Sequence, residues 1–227
     1  MVIENSVRTS QLFVGVPAET IQAALDTGVP RRVRRGSCFF RSDETANCLF
    51  VLVRGRVKLC LVTPRGYRVL FRLIGPGDLF GYQTVLSSGR YFTTAEAAVD
   101  SEALCWSRAA TRRLLKGHPA IAVNALAVSL THMQEYQQRL AEMASEPVAT
   151  RIARQLIRLE SLNVFGADSP ATINGEFTRE DLAGLAGSTL HTVSRVLGRW
   201  ERAHIVEKAP GMIRITAPEK LAQIAGF

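Results

Sequence analysis

Long hydrophobic runs are what this 227-residue chain most plainly lacks. No apolar stretch approaches the ~20 residues that a membrane-crossing helix needs. Nor does the amino terminus, MVIENSVRTS, have the basic-then-apolar order of a secretory leader, and the reading is a soluble cytoplasmic protein. Cysteine is scarce. Cys38, Cys48, Cys60 and Cys105 are scattered without a CxxC pair, so structural thiols are expected rather than a zinc or iron-sulfur site. A redox role for Cys48 or Cys105 has no support at this level, because no adjacent basic group is visible to lower a thiol pKa. All four histidines, His118, His132, His191 and His204, lie beyond residue 117, which leaves the strand-rich amino-terminal part without ligands for a catalytic metal centre. With no nucleophile-base pair, metal motif or phosphate-binding glycine loop either, an enzyme is the weakest class of function.

Positive charge is present in excess, at net +8, and its location matters more than its size. Residues 1–117 hold 17 Lys+Arg against 9 Asp+Glu, residues 118–145 hold 1 against 2, and residues 146–227 hold 10 against 9. The excess is therefore amino-terminal, where Arg31, Arg32, Arg34 and Arg35 read as a solvated strand edge.

The most informative stretch is Phe177 to Arg202, FTREDLAGLAGSTLHTVSRVLGRWER, which reads as two short helices around a glycine-containing turn. Thr178 is a good N-cap, with Glu180 and Asp181 in the first turn to offset unpaired N–H groups. Leu182, Leu185 and Ala186 give that helix one apolar face; Gly187 ends it, and Ser188 or Thr189 caps the next. In the second helix Val193, Val196, Leu197 and Trp200 share an inward face, leaving His191, Ser194, Arg195 and Arg202 free. Arg195 has the chemistry to donate two bonds to guanine O6 and N7 in a major groove, and Ser194 to reach a base or a phosphate. Behind this helix-turn-helix, Ile205-Val206 and Met212 to Ile215 flank Pro210-Gly211 as two short strands, a wing on which Lys208 and Arg214 are candidate phosphate contacts.

Earlier in the chain, residues 10–28 read as an amphipathic helical entry with Leu12, Phe13, Val16, Ile21 and Leu25 available for packing. From Arg32 to Ser107 short apolar runs alternate with turns at Gly55, Pro64-Arg65-Gly66 and Gly75-Pro76-Gly77-Asp78, the signature of a sandwich or rolled barrel. Pro119 to Ser145 reads as one long helix. Its seam, Val123, Leu126, Leu130, Met133, Gln137, Leu140 and Ala144, alternates spacings of three and four as coiled coils do. Burial against a second copy is favoured, because palindromic DNA is read by two-fold dimers, and Gln137 would then set the register. Glu146-Pro147 breaks the chain before a helix from Val148 to Leu162. The fold class is thus α+β, with a β-roll at 1–117, a dimerisation helix at 118–145 and a winged helix-turn-helix at 146–227.

That order, with GRVKL at Gly55 to Leu59, GPGDLFG at Gly75 to Gly81 and TVSRVL at Thr192 to Leu197, resembles the Crp/Fnr superfamily of bacterial transcription regulators over nearly the whole chain. The resemblance implies a double-stranded β-helix of the cyclic-nucleotide-binding type that senses a signal, a homodimer through Leu126, Leu130, Met133, Gln137 and Leu140, and recognition helices in successive major grooves of double-stranded DNA. It also implies contact with RNA polymerase, as activators of this type make. Leu190, His191, Ser194 and Arg195 would approach bases, with Thr189, Arg199, Lys208 and Arg214 on phosphates.

Departures from the family narrow the signal. Cyclic-AMP receptors carry Glu after the FG of the GDLFG-like segment and an Arg-Ser pair about ten residues on; here stand Tyr82 and Tyr91-Phe92. A phosphate without its arginine is an unpaired buried charge, so cyclic AMP is not expected. The iron-sulfur sensors use an amino-terminal cysteine cluster, and this chain has no cysteine before Cys38. Members lacking both features include nitric-oxide or haem-linked denitrification regulators and symbiotic or microaerobic regulators that need no small effector, so the resemblance leaves open a response to oxygen, nitric oxide or redox state and whether any effector is needed. Tyr82, Tyr91 and Tyr136 either line an effector pocket or fill the space, with filling favoured, and His132 is a conceivable haem ligand. His191 replaces the family's usual Glu, so the guanine read by Arg195 should be kept while the neighbouring base preference changes. The competing function is a ligand-binding sensor whose winged domain binds protein rather than DNA, supported by the near-neutral charge of residues 146–227.

Overall fold

The computed structural model describes residues 2–64, 66–82, 89–161, 172–173, 177–209 and 212–227. By packing, the chain divides into two compact units, Met1–Leu61 with Arg72–Glu135, and Val62–Phe71 with Tyr136–Phe227. The long helix is divided between the two, and the stretch Val62–Phe71 falls with the carboxy-terminal unit.

The first unit begins with α1 (Val2–Arg8), a 3-10 turn (Gln11–Phe13) and α2 (Ala18–Thr27). The strands follow as β1 (Val29–Val33), β2 (Cys38–Phe40), β3 (Cys48–Arg54), β4 (Val57–Val62), β5 (Arg68–Ile74), β6 (Leu79–Phe80), β7 (Thr94–Ala97) and β8 (Ser101–Ser107). They form two four-stranded sheets, ordered β1-β8-β3-β6 and β2-β7-β4-β5, which is the rolled antiparallel architecture that the turn spacing predicts.

Strand β3 explains why this part of the sequence is apolar without alternation. Leu49, Val51 and Val53 enter one core, shared with Phe13, Ile21 and Trp106, while Phe50 and Leu52 enter a second core fed by strands of both sheets. A strand covered on both faces has no polar side to show. The second core is aromatic: Phe50 stacks on Phe80 at 4.9 Å between centroids, and Phe40 on Tyr91 at 3.7 Å. Gly55 makes the β3–β4 turn at φ +95°, where a Cβ would come within 2.7 Å of the Ser101 Cα, so both backbone conformation and space require glycine.

The amphipathic entry falls where expected, with Leu12, Phe13, Val16 and Ile21 buried. The Arg31 to Arg35 edge is exposed, and Arg32 joins Arg54 in holding the Glu102 carboxylate at 2.9 and 2.8 Å. Helix α3 (Arg108–Gly117) is capped by Ser107, whose hydroxyl accepts from the Ala110 N–H at 3.2 Å. The long helix α4 then spans Pro119–Ser145, the range read from the sequence.

In the second unit α5 covers Val148–Ser161, and Leu162 lies outside the described residues. Strand β9 (Thr172–Ile173) pairs with β11 (Met212–Ile215), which pairs with β10 (Val206–Ala209) to form the wing. The Pro210-Gly211 turn lies outside the described residues. Helices α6 (Arg179–Leu185) and α7 (Leu190–Arg202) are the helix-turn-helix, and α8 (Pro218–Ala225) closes the chain, with Leu221 and Ala225 buried. β9, α1 and α8 were not foreseen from the sequence.

The chain has two tryptophans, one in each unit, which makes each unit's unfolding separately visible. Trp106 is fully buried, and its indole N–H donates to the Ala24 carbonyl at 2.8 Å. Trp106→Ala should destabilise the first unit by about 3–5 kcal/mol, read in urea by the loss of its strand signal in far-ultraviolet circular dichroism, with the transition reported by Trp200 unchanged.

Candidate nucleic-acid interface

The helix-turn-helix is built from its caps outward. The Thr178 hydroxyl accepts from the Asp181 N–H at 3.1 Å, and the Asp181 carboxylate accepts from the Thr178 N–H at 2.8 Å, a reciprocal capping box that starts α6. Leu182, Leu185 and Ala186 are buried as their spacing requires. Gly187 turns the chain at φ +58°, and Thr189 caps α7 by accepting from the Thr192 N–H at 3.2 Å.

On α7 the faces separate cleanly. Val193, Val196, Leu197 and Trp200 are buried, whereas Leu190, His191, Arg195, Arg199 and Arg202 are exposed and Ser194 is half-buried. Arg195, Arg199 and Arg202 recur at spacings of four and three, which puts them on one stripe opposite the buried face. None of the three has an ion pair among the described residues. Arg202 Nε donates to the Gly198 carbonyl at 3.2 Å, and guanidiniums without an ion pair on an outward face offer donors for phosphate oxygens and base edges.

The other phosphate candidates already have partners within the chain. Lys208 is ion-paired to Glu201 at 2.7 Å, and Arg214 is ion-paired to Glu207, its partner across the β10–β11 register. Each cation is already neutralised within the chain, and the Thr189 hydroxyl is occupied by its cap. Of the four, Arg199 alone has neither an ion pair nor a capping bond among the described residues. Arg179, exposed at the first position of α6 and without an ion pair among the described residues, was passed over; its signal was a basic residue directly after an N-cap.

The turn is held from behind by Arg151 on α5. Its guanidinium, with the residue only 9% exposed, donates to the carbonyls of Ala186 at 2.9 Å, Gly187 at 3.2 Å, Glu146 at 2.9 Å and Met143 at 3.5 Å. Helix ends leave such carbonyls unsatisfied, and a cation there also opposes the helix dipole. Beside it, Glu142 is buried with Arg154 at 3.7 Å and with Arg158.

The seam of the long helix is open to solvent. Val123, Leu126, Leu130, Met133 and Leu140 are 46–65% exposed, and Gln137 is exposed among them. Tyr82 packs at the edge of the helical core, Tyr91 is buried in the aromatic core, and Tyr136 belongs to the second unit, edge-on to Phe71 at 5.9 Å. The Tyr91 hydroxyl accepts from the Cys48 N–H at 3.0 Å and donates to its carbonyl at 2.8 Å, so this ring fills space and pins a strand instead of lining a pocket.

His132 does not fit haem. It is 5% exposed, with its Nδ1 3.4 Å from the Tyr82 hydroxyl, and an axial ligand needs an open approach. Burial, helped by the charge of Arg72, lowers its pKa to about 4 and keeps the ring neutral. The reading of the thiols also changes. β1–β8 pairing brings Arg31 to the Cys48–Cys105 pair and supplies the basic group that the local sequence lacks.

A strand roll followed by a long helix and a winged helix-turn-helix with a cationic outer face defines a DNA-binding transcription regulator. Two domain models match the chain, the cyclic nucleotide-binding domain over residues 30–118 and the Crp-like helix-turn-helix domain over residues 150–224. The cyclic AMP receptor protein of Thermus thermophilus is 28% identical, the match covering 95% of this chain and 97% of that one. The nitrogen fixation regulation protein FixK of Azorhizobium caulinodans is 27% identical over 84% of this chain and 77% of its own. The solved structure of FixK2 from Bradyrhizobium japonicum shares the fold at TM-score 0.75 and 20% identity, covering 87% of this chain and 96% of that one. This chain belongs to the Crp/Fnr family of transcription regulators.

Two results are expected. Arg151→Ala strips a buried donor from several carbonyls and should cost the second unit about 2–5 kcal/mol, read as a lower urea midpoint on Trp200 emission. His132 remains neutral in the fold while the unfolded chain takes up a proton below the ordinary imidazole value of about 6.5. The stability held by the neutral ring is therefore whole above pH ~6.5 and is lost, to the extent of about 3 kcal/mol, as pH falls toward ~4. Denaturation of His132→Gln across that range should show the slope reduced.

Proposed function

We propose that the chain acts as a cytoplasmic homodimer that reads a palindromic site, with α7 of each protomer in successive major grooves about one helical turn apart. One observation carries the reading: the Arg195, Arg199 and Arg202 stripe, unpaired among the described residues, on the helix whose other face is buried. In this reading Arg195 donates to guanine, Ser194 and Leu190 approach neighbouring bases, and His191 alters the preference that Glu confers elsewhere in the family. Arg199 and Arg202 take phosphates, with Thr189, Lys208 and Arg214 contributing only if their internal partners release them.

Dimerisation is supported by the open seam of α4, an apolar stripe with the periodicity that a second helix fills. Family membership supports a regulatory role and contact with RNA polymerase. We assign the signal to oxygen, nitric oxide or redox state rather than cyclic AMP, because Tyr82 stands where cyclic-AMP receptors carry Glu and Tyr91-Phe92 stands in the alignment for their Arg-Ser pair. The rival reading, a protein-binding winged domain, loses its support from the near-neutral charge: Glu201 and Glu207 are spent on Lys208 and Arg214, so the exposed stripe stays cationic.

Arg195→Ala should cost on the order of 1–3 kcal/mol of DNA affinity, concentrated at one base per half-site. Arg199→Ala should weaken all sequences alike and make the salt dependence shallower. A uniform loss from Arg195→Ala would make it a phosphate contact instead, and titrations on single-base variants distinguish the two. Leu130→Asp combined with Leu140→Asp should yield monomers in sedimentation equilibrium and weaken operator binding; a persisting dimer would move the interface off this seam.

A further inference from the structure

We propose that Cys48 and Cys105 form an oxidisable dithiol on the roll, with Cys48 as the attacking sulfur, Cys105 as the resolving sulfur and a hydroperoxide as the substrate. The placement follows from strand register. Antiparallel β3 and β8 set Phe50 opposite Cys105 and Cys48 opposite Ser107, so the two thiols lie diagonally on one face of the sheet. The two cysteines are unbridged. Both residues are half-buried at the margin of the aromatic core, sheltered but reachable.

The surroundings favour one thiolate. Arg31 on β1 stands opposite Ala103, on the same face as Cys105, with its guanidinium 5.8 Å from the Phe50 ring centroid. The Tyr91 hydroxyl grips both backbone groups of Cys48, which fixes this end of β3. The Cys105 hydrogen bond brings the Cys48 thiol down to about 7 against the opposing effect of burial, and the Arg31 charge assists. The same bond and burial push Cys105 up, so it keeps its proton. A thiolate with pKa near ambient pH is a good attacking sulfur, and a neighbouring protonated thiol suits resolution.

The chemistry closes in two steps. The Cys48 thiolate attacks the distal peroxide oxygen; the O–O bond breaks, the alkoxide or hydroxide leaves with a proton from solvent, and Cys48 becomes a sulfenic acid. Cys105 then attacks that sulfur, the S–O bond breaks, and its proton departs with the hydroxyl as water, leaving a Cys48–Cys105 disulfide. Sulfur loses two electrons and the peroxide gains them. Diagonal partners in a sheet stand ~7–8 Å apart at Cα, offset along the strands and just beyond a relaxed disulfide, so closure shifts the β8 backbone at Cys105 along the strand toward the Cys48 held by Tyr91. A bridge closed under tension is readily reopened by small thiols, which makes the modification reversible.

The test uses full-length protein at pH 7 with equimolar hydrogen peroxide, quenched with N-ethylmaleimide and mapped by peptide mass spectrometry without reduction. The expected product links the Cys48 and Cys105 peptides, opens with glutathione, and leaves Cys38 and Cys60 alkylated by the quench or, where buried, unmodified. Cys105→Ser should trap a dimedone-reactive sulfenic acid at Cys48. Arg31→Gln, on an exposed position, should move the pH midpoint of Cys48 alkylation by iodoacetamide upward. Alkylation of Cys48 with the rate and midpoint of Cys38, or its peroxide oxidation to sulfinic acid without a link, would overturn the proposal. These readouts are on the roll's own thiols, so their failure is distinct from failure of DNA binding.

Discussion

A single buried guanidinium holds together the part of this protein that reads DNA. Arg151 satisfies carbonyls at the end of the long helix, Met143 and Glu146, and at the turn of the helix-turn-helix, Ala186 and Gly187. Three helices meet at that charge. Each leaves backbone acceptors that water would otherwise serve, and burying them without donors would cost more than ordinary packing recovers. Glu142, buried with Arg154 and Arg158, adds a second charged tie between the long helix and α5. The recognition helix is thus fixed by charge-assisted bonds from behind and by the packing of Val193, Val196, Leu197 and Trp200 from within.

The same logic reconciles a DNA-binding role with a carboxy-terminal region of nearly balanced charge. Net charge governs long-range attraction, but contact with phosphate and base edges depends on which cations lack a partner. In the second unit carboxylates occupy Arg154, Arg158, Lys208 and Arg214. The arginines of α7 are left facing outward. Their stripe is short, and specificity would rest on a few base contacts supported by phosphate contacts on either side.

Much of this was legible in the residues because it is local. Pro119 at a helix start, Glu146-Pro147 at its end and a seam of three-four spacing between them bounded the long helix. Thr178, Gly187 and Thr189 bounded the helix-turn-helix by capping chemistry alone. What escaped was short or depended on pairing. β9 is two residues long and exists through its partner β11, while α8 had a readable signal, Pro218 followed by Leu221 and Ala225, that was passed over. The pairing of Lys208 and Arg214 with glutamates follows from strand and helix register, not composition. Arg31, Cys48 and Cys105 are distant in sequence and meet only because β1, β8 and β3 are neighbours.

The most direct measurement is selection of binding sites from random duplex DNA by the purified, reduced protein without added ligand. The account predicts a palindrome with half-sites about one helical turn apart, each holding a guanine whose enrichment disappears with Arg195→Ala. Absence of any enriched palindrome, or affinity indifferent to salt, would contradict it.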